Sequence, residues 1–200
     1  MQSETEDQDQ GTVESLQDFA LRLLDFHGGQ NSSLYSVGSC MLAGDDHWTE
    51  AVDGAVYELR DYADEAPKMC ETWSADDKAE HLENGKVAAE LADQLLKHRA
   101  HKERLDKLDS FTTAYLECAC WLADEDAGSG EYSEKGRTQP ILETLHPSNL
   151  EQAVKDCAEF QSRGSALLAA AYDRTGYDEE RAGHDFFLTR GHAGVGFWDR

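Results

Sequence analysis

Paired cysteines are missing from this sequence. Its five cysteines are an odd number and none stands in a CxxC spacing, which argues against a disulfide framework and against a cysteine zinc site. We interpret them as small apolar residues of a protein in a reducing compartment. The five are Cys40, Cys70, Cys118, Cys120 and Cys157.

Long hydrophobic runs and a basic leader are missing as well. No apolar stretch approaches the roughly 20 residues that a membrane-spanning helix needs. The first residues, MQSETEDQDQG, are polar and acidic, unlike a signal or transit peptide. The sequence therefore predicts a soluble, cytoplasmic protein with no membrane partner. We expect residues 1–11 to form a disordered acidic tail and residues 12–200 to form a single, mostly helical domain.

Basic residues are scarce, since 18 Lys and Arg stand against 41 Asp and Glu, a formal net charge of -23. A field of that sign repels nucleic acid and anionic membranes and attracts basic proteins. We therefore expect no direct nucleic-acid partner. Two interpretations stay open: a solvated surface that aids solubility, or a surface that competes with nucleic-acid phosphate for a basic groove.

The candidate binding residues are acids on and around one predicted helix. Apolar residues recur there at helical spacing from Trp48 through Val52, Val56 and Leu59, and Pro67 ends the pattern. We call the following eight residues the acidic face: Asp45, Asp46, Glu50, Asp53, Glu58, Asp61, Asp64 and Glu65.

The remaining periodicity predicts further helices. One follows Thr12, and the short apolar stretch 34–44 fits either a helix or a strand. A long helical region runs from a capping box at Ser74 to about residue 123, with breaks expected near residues 84–85 and 109–110. The last helix starts near Pro147, where Ser148 and Glu151 form a second capping box, and it ends at Gly176.

The basic residues concentrate in one segment, KHRAHKERLDK at 97–107. An exposed helical face balanced by Glu103 and Asp106 is one interpretation. The other is a docking surface for an acidic partner or for the acidic half of the same chain.

The C-terminal tail has the pattern of a β-hairpin. Residues 184–190 and 195–200 are aromatic and β-prone, and the glycine-bearing segment 191–194 separates them. Because a two-stranded hairpin is barely stable alone, its aromatic residues should pack on the helices. The predicted fold is thus mainly α (α+β), a bundle of about five helices with a C-terminal β-hairpin.

The same tail permits a chemical interpretation. His184, Asp185, His192 and Asp199 carry ligands that suit zinc, manganese or iron, and the glycine-rich turn could cover a phosphate. The third interpretation is structural, with glycines for the turn and aromatics for the core. Under the structural interpretation no cofactor is expected, whereas the metal interpretation requires a divalent metal.

The C-terminal half resembles a family of small bacteriophage and prophage proteins. The segments that carry the likeness are YLECACW (115–121), KDCAEF (155–160) and the tail AGHDFFLTRGHAGVGFWDR, against a family tail similar to AGHDFWLTRNGHGAGFWDR. The likeness spans about residues 105–200. The histidine at position 192 stands one place earlier than in the family pattern, which would turn it differently in a hairpin. The family also usually continues past WDR.

The resemblance implies a virus-encoded accessory protein of unassigned biochemical activity that works inside a bacterial cell. Our leading hypothesis is a protein that binds a host or phage protein with a basic surface through its acidic face. One version is an inhibitor of a host nucleic-acid enzyme. The alternatives are a small metal-dependent or nucleotide-handling enzyme built on the tail, and a virion or assembly component.

Overall fold

The computed structural model describes residues 14–26, 32–69, 73–126, 142 and 145–191. In these ranges every regular element is helical. There are seven α-helices and one 3₁₀ helix, Asp46–Ala51. The α-helices are α1 Leu16–Phe26, α2 Ser33–Ala43, α3 Val52–Met69, α4 Ala75–Leu105, α5 Ser110–Asp126, α6 Pro147–Tyr172 and α7 Glu179–Arg190.

The prediction of a C-terminal β-hairpin is wrong, because residues 184–190 form the second half of α7. The Asp178 side chain accepts a hydrogen bond from the Arg181 amide and caps the helix. Ala182, Gly183 and Phe186 are buried, and this spacing belongs to one helical stripe. The expected second strand, 195–200, and the turn residues from 192 onward lie outside the described residues.

Contact with α5 explains why residues 184–190 are helical. An ideal Cβ on Gly183 would lie 2.2 Å from the carbonyl oxygen of Phe111, so the two backbones touch. The Phe186 ring stacks on Phe160 of α6, with ring centroids 4.0 Å apart. Packing of this kind outweighs the β propensity of the aromatic residues, which depends strongly on context.

Helices α1 to α4 enclose the first core. Its members include the predicted apolar residues Trp48, Val52 and Leu59, which are buried. The stretch 34–44, which fits either a helix or a strand from its sequence, is α2. A hydrogen bond from the Tyr35 amide to the Ser32 side chain caps its N-terminus.

The predicted break near residues 84–85 is wrong, and α4 continues through them. Gly85 is buried, and an ideal Cβ there would lie 2.9 Å from the Cβ of Ala66 on α3. The glycine therefore permits a close helix–helix approach. The second expected break is confirmed: α4 ends at Leu105, and the Asp109 carboxylate accepts a hydrogen bond from the Thr112 amide as α5 begins.

Helices α5 to α7 enclose two further buried clusters, which Tyr115 joins by packing against both. Burial raises the pKa of the Cys120 and Cys157 thiols to about 11, so both stay protonated at neutral pH. The four described cysteines are free.

Within the described ranges, no helix combines the length and apolar character that a membrane crossing requires.

The start of α6 differs from the predicted capping box. The cap is His146, whose Nδ1 accepts a hydrogen bond from the Ser148 amide, and Pro147 occupies the first turn. Two apolar residues of α6 remain at the surface, since Val154 is 38% exposed and Leu167 is 80% exposed.

Candidate functional site

The acidic face is centred on the outer side of α3 and on the 3₁₀ helix before it. Asp53, Tyr57, Asp61 and Asp64 recur at spacings of four, four and three residues, so they form one exposed stripe along α3. The Tyr57 side chain is 70% exposed. The stripe therefore joins three carboxylates to a large aromatic ring that faces solvent.

Two acids of the face serve as caps. Asp45 accepts a hydrogen bond from the His47 amide at the start of the 3₁₀ helix. Glu58 is half-buried and accepts hydrogen bonds from the Ser33 and Leu34 amides, at 2.9 Å and 3.5 Å. Glu58 thus neutralises the positive end of α2, as a carboxylate at a helix N-terminus does, and contributes little to an outer surface.

Two more acids pair with the basic segment of α4. Arg99 Nη1 lies 2.6 Å from Asp53 Oδ1, and Lys102 Nζ lies 3.4 Å from Asp46 Oδ1. Lys102 also binds the Asp106 carboxylate. The basic residues 99 and 102 therefore face the acidic half of the same chain, which is one of the two interpretations that the sequence leaves open.

The last four acids stay at the surface. Glu50 Oε1 lies 3.1 Å from His47 Nδ1, and this contact raises the pKa of His47. Glu65 pairs with Lys68 at 2.7 Å. Asp61 and Asp64 are exposed, and neither forms a hydrogen bond or an ion pair with another described residue. They are the two acids of the stripe whose charge is not paired with a described residue.

Of the four proposed metal ligands, the structure describes only His184 and Asp185. His184 and Asp185 are adjacent on α7, so their side chains leave the helix about 100° apart. Asp185 is buried and accepts a hydrogen bond from the Tyr177 hydroxyl at 2.9 Å. His192 and Asp199 lie outside the described residues. In the described part, no group of three or more His, Cys, Asp or Glu side chains is placed to hold a metal ion.

A polar network beside α7 has a structural role. Arg190 Nη1 donates to Asp156 at 2.6 Å and to the Tyr115 hydroxyl at 3.1 Å. The hydrogen bond from Arg190 lowers the pKa of Asp156, and burial raises the pKa of Tyr115. Every charged or polar member is paired, so the network ties α7 to α5 and α6.

Sequence reasoning missed the exposed position of Tyr57. The buried stripe of α3 predicts which residues face inward, and Tyr57 falls outside that stripe. A large aromatic residue on the polar side of an amphipathic helix is therefore a signal that the sequence contains.

Compared with known proteins, the chain matches no family model, no curated protein and no solved structure.

Proposed function

We propose that this protein acts by binding another protein through the exposed stripe of α3. One observation carries the proposal: Tyr57 is 70% exposed between carboxylates that recur at helical spacing. Tyrosine is enriched among the residues that dominate binding energy at protein interfaces. A partner that covers this ring and pairs with the flanking acids gains both apolar burial and charge complementarity.

The partner we propose is a host or phage protein with a basic surface. The formal net charge of -23 attracts such a surface over a long range. Asp61 and Asp64, which are exposed and unpaired among the described residues, would supply the short-range contacts. In one version of the proposal the partner is a nucleic-acid enzyme, and the carboxylates occupy the groove that binds phosphates.

The likeness of the tail to phage proteins supports a phage-type accessory role in the cytoplasm of a bacterial host.

The proposal is tested by affinity capture from bacterial lysate, with the wild type and two double variants side by side. Asp61→Asn/Asp64→Asn removes two charges from the stripe. Glu179→Gln/Glu180→Gln removes the same charge from the first turn of α7 and serves as the matched control. We expect the stripe variant to lose the partner and the control to retain it.

Salt and the aromatic ring give two further readouts. Raising ionic strength from about 0.1 M to about 1 M shortens the Debye length from about 10 Å to about 3 Å, so the affinity should fall steeply. Tyr57→Ser should weaken binding at both salt concentrations, since burial of the ring does not depend on charge. A partner that binds all variants equally, or equally at both salt concentrations, would refute the proposal.

A further inference from the structure

A second surface feature, separate from the stripe, is an open cleft of about 570 Å³ at the start of α4. Its lining residues are Trp73, Ser74, Asp77, Glu80, His81 and Asn84. Glu80, His81 and Asn84 follow Asp77 by three, four and seven residues. These side chains therefore share one face of the helix.

The cleft contains an exposed tryptophan. Trp73 immediately precedes the capping residue of α4 and is 43% exposed. Its ring centroid lies 4.7 Å from that of His81, with the rings tilted by 57°. The histidine thus supports one part of the indole and leaves the rest open to the cleft. An indole face is the best π surface for a cation among the natural side chains.

The histidine below the tryptophan carries an unsatisfied nitrogen. His81 Nδ1 lies 3.0 Å from the Tyr62 hydroxyl, and this contact fixes the ring. Its other nitrogen, Nε2, is buried and has no hydrogen-bond partner in the described part of the chain. Because this nitrogen has no exposed surface, His81 supports the indole and is not itself a contact for a ligand in the cleft.

The carboxylates give the cleft a negative charge. Asp77 is partly engaged, since one of its oxygens accepts a hydrogen bond from the Ser74 hydroxyl at 2.6 Å. Glu80 is exposed and has no hydrogen bond to another described residue. Together with Asp76 in the first turn, these charges exceed the half charge of opposite sign at the helix N-terminus.

We propose that this cleft binds a guanidinium or ammonium group, supplied by an arginine side chain of the protein partner. The side chains that line the cleft offer carboxylates, an amide oxygen and the face of an indole, all of which prefer a positively charged donor. The class of ligand follows from the cleft, whereas its source in a partner rests on the proposed function.

The test uses small probes and the full chain. N-acetyl-arginine amide is titrated while the indole N–H of Trp73 is followed by NMR, with the resonance assigned from Trp73→Phe. N-acetyl-citrulline amide has nearly the same shape without the charge, and putrescine represents a free diamine. Glu80→Gln is compared with Glu90→Gln, an exposed acid on the same helix that does not line the cleft.

We expect a saturable shift with the arginine probe and none with citrulline. Glu80→Gln should weaken the arginine probe roughly two- to fivefold, as loss of an exposed ionic contact does, and Glu90→Gln should leave it unchanged. Equal shifts with arginine and citrulline, equal effects of the two variants, or no saturation would overturn the proposal. Tighter binding of putrescine than of arginine would overturn the assignment to a partner side chain.

The two proposals can fail separately. The arginine titration does not involve the stripe of α3, and the Asp61→Asn/Asp64→Asn variant used for the stripe leaves every residue of the cleft in place. Loss of partner capture in that variant, together with a silent arginine titration, would support the proposed function and reject the cleft.

Discussion

Arg99 of α4 lies 2.6 Å from Asp53 of α3, and this ion pair joins the basic segment of the chain to its acidic face. The Arg99 side chain is 26% exposed and that of Asp53 is 88% exposed. A carboxylate so open to solvent can exchange this cation for one on a partner. If the proposed function holds, the intramolecular arginine competes with the partner for the first acid of the stripe.

Arg99→Gln should strengthen binding of the basic partner while it barely affects folding. The Asp53 carboxylate is largely solvated, so loss of the pair should cost less than about 1 kcal/mol of unfolding free energy. The measurements are urea unfolding and the affinity for the captured partner. Arg163→Gln, which breaks the exposed pair of Arg163 with Glu159 on α6, makes the same charge change as a control. Equal gains in affinity for both variants would show that net charge, rather than release of Asp53, is responsible.

Glu58 and Asp61 should separate stability from binding. Glu58→Gln weakens the hydrogen bond to the Ser33 amide and removes the charge at the end of α2, so we expect a loss of about 1 kcal/mol in unfolding free energy. Asp61→Asn changes an exposed, unpaired residue and should stay within about 0.5 kcal/mol of the wild type. Partner affinity should show the opposite order, with Asp61→Asn the more damaging. If Glu58→Gln weakens binding more without a loss of stability, Glu58 belongs to the interface.

Two glycine substitutions should act in opposite directions. Gly183→Ala places a Cβ against the Phe111 carbonyl oxygen, which belongs to the backbone and cannot turn aside. We expect it to destabilise the protein by about 3 kcal/mol. Gly164→Ala on α6 meets Leu168 only at 4.0 Å and should stabilise its helix by roughly 0.5–1 kcal/mol. Chemical denaturation measures both, and a tolerated Gly183→Ala would refute the close contact between α5 and α7.

Stability should fall as pH drops below about 6.5, because two histidines of α4 are partly buried. Burial lowers the pKa of His98, whose ring lies 4.6 Å from that of Phe19, although Glu14 raises it and His101 lowers it further. Burial also lowers the pKa of His101. Below the unfolded-state pKa the unfolded chain binds protons that the folded chain does not. The contribution of these histidines to the free energy of unfolding is therefore complete above the unfolded-state pKa. It is lost as pH falls towards the folded-state pKa.

The measurement is urea unfolding at about pH 7.5 and about pH 5.5, on the neutral side and the acidic side of the histidine transition. His98→Phe keeps an aromatic ring against Phe19 and should show a smaller loss between the two pH values than the wild type. His47→Phe is the control, since His47 is exposed and its pKa is raised rather than lowered. If the His98→Phe variant loses as much unfolding free energy between the two pH values as the wild type does, His98 is not the cause of the pH dependence.

Part of the candidate site is readable from the sequence. The acids of α3 and the apolar stripe beneath them follow from residue spacing alone, so their common helix is predictable. The ion pairs of these acids are not predictable from the sequence. Arg99 stands 46 residues after Asp53 and contacts it only when α3 and α4 pack together. The same holds for Glu58, whose partner Ser33 lies 25 residues earlier.

The sequence by itself determined the amphipathic helices and several of their caps, such as Ser74 at the start of α4, because periodicity and capping chemistry act within a few residues. Only the tertiary structure decided that Gly85 lies inside a helix and that residues 184–190 are helical. Glycine has a low helix propensity, yet Gly85 lies inside α4. A glycine fits there because Ala66 packs so closely that a side chain would collide with it. The residues around Phe186 satisfy both strand alternation and a helical stripe. The surface of α5 selects the helix, since contact across the core contributes more than local propensity.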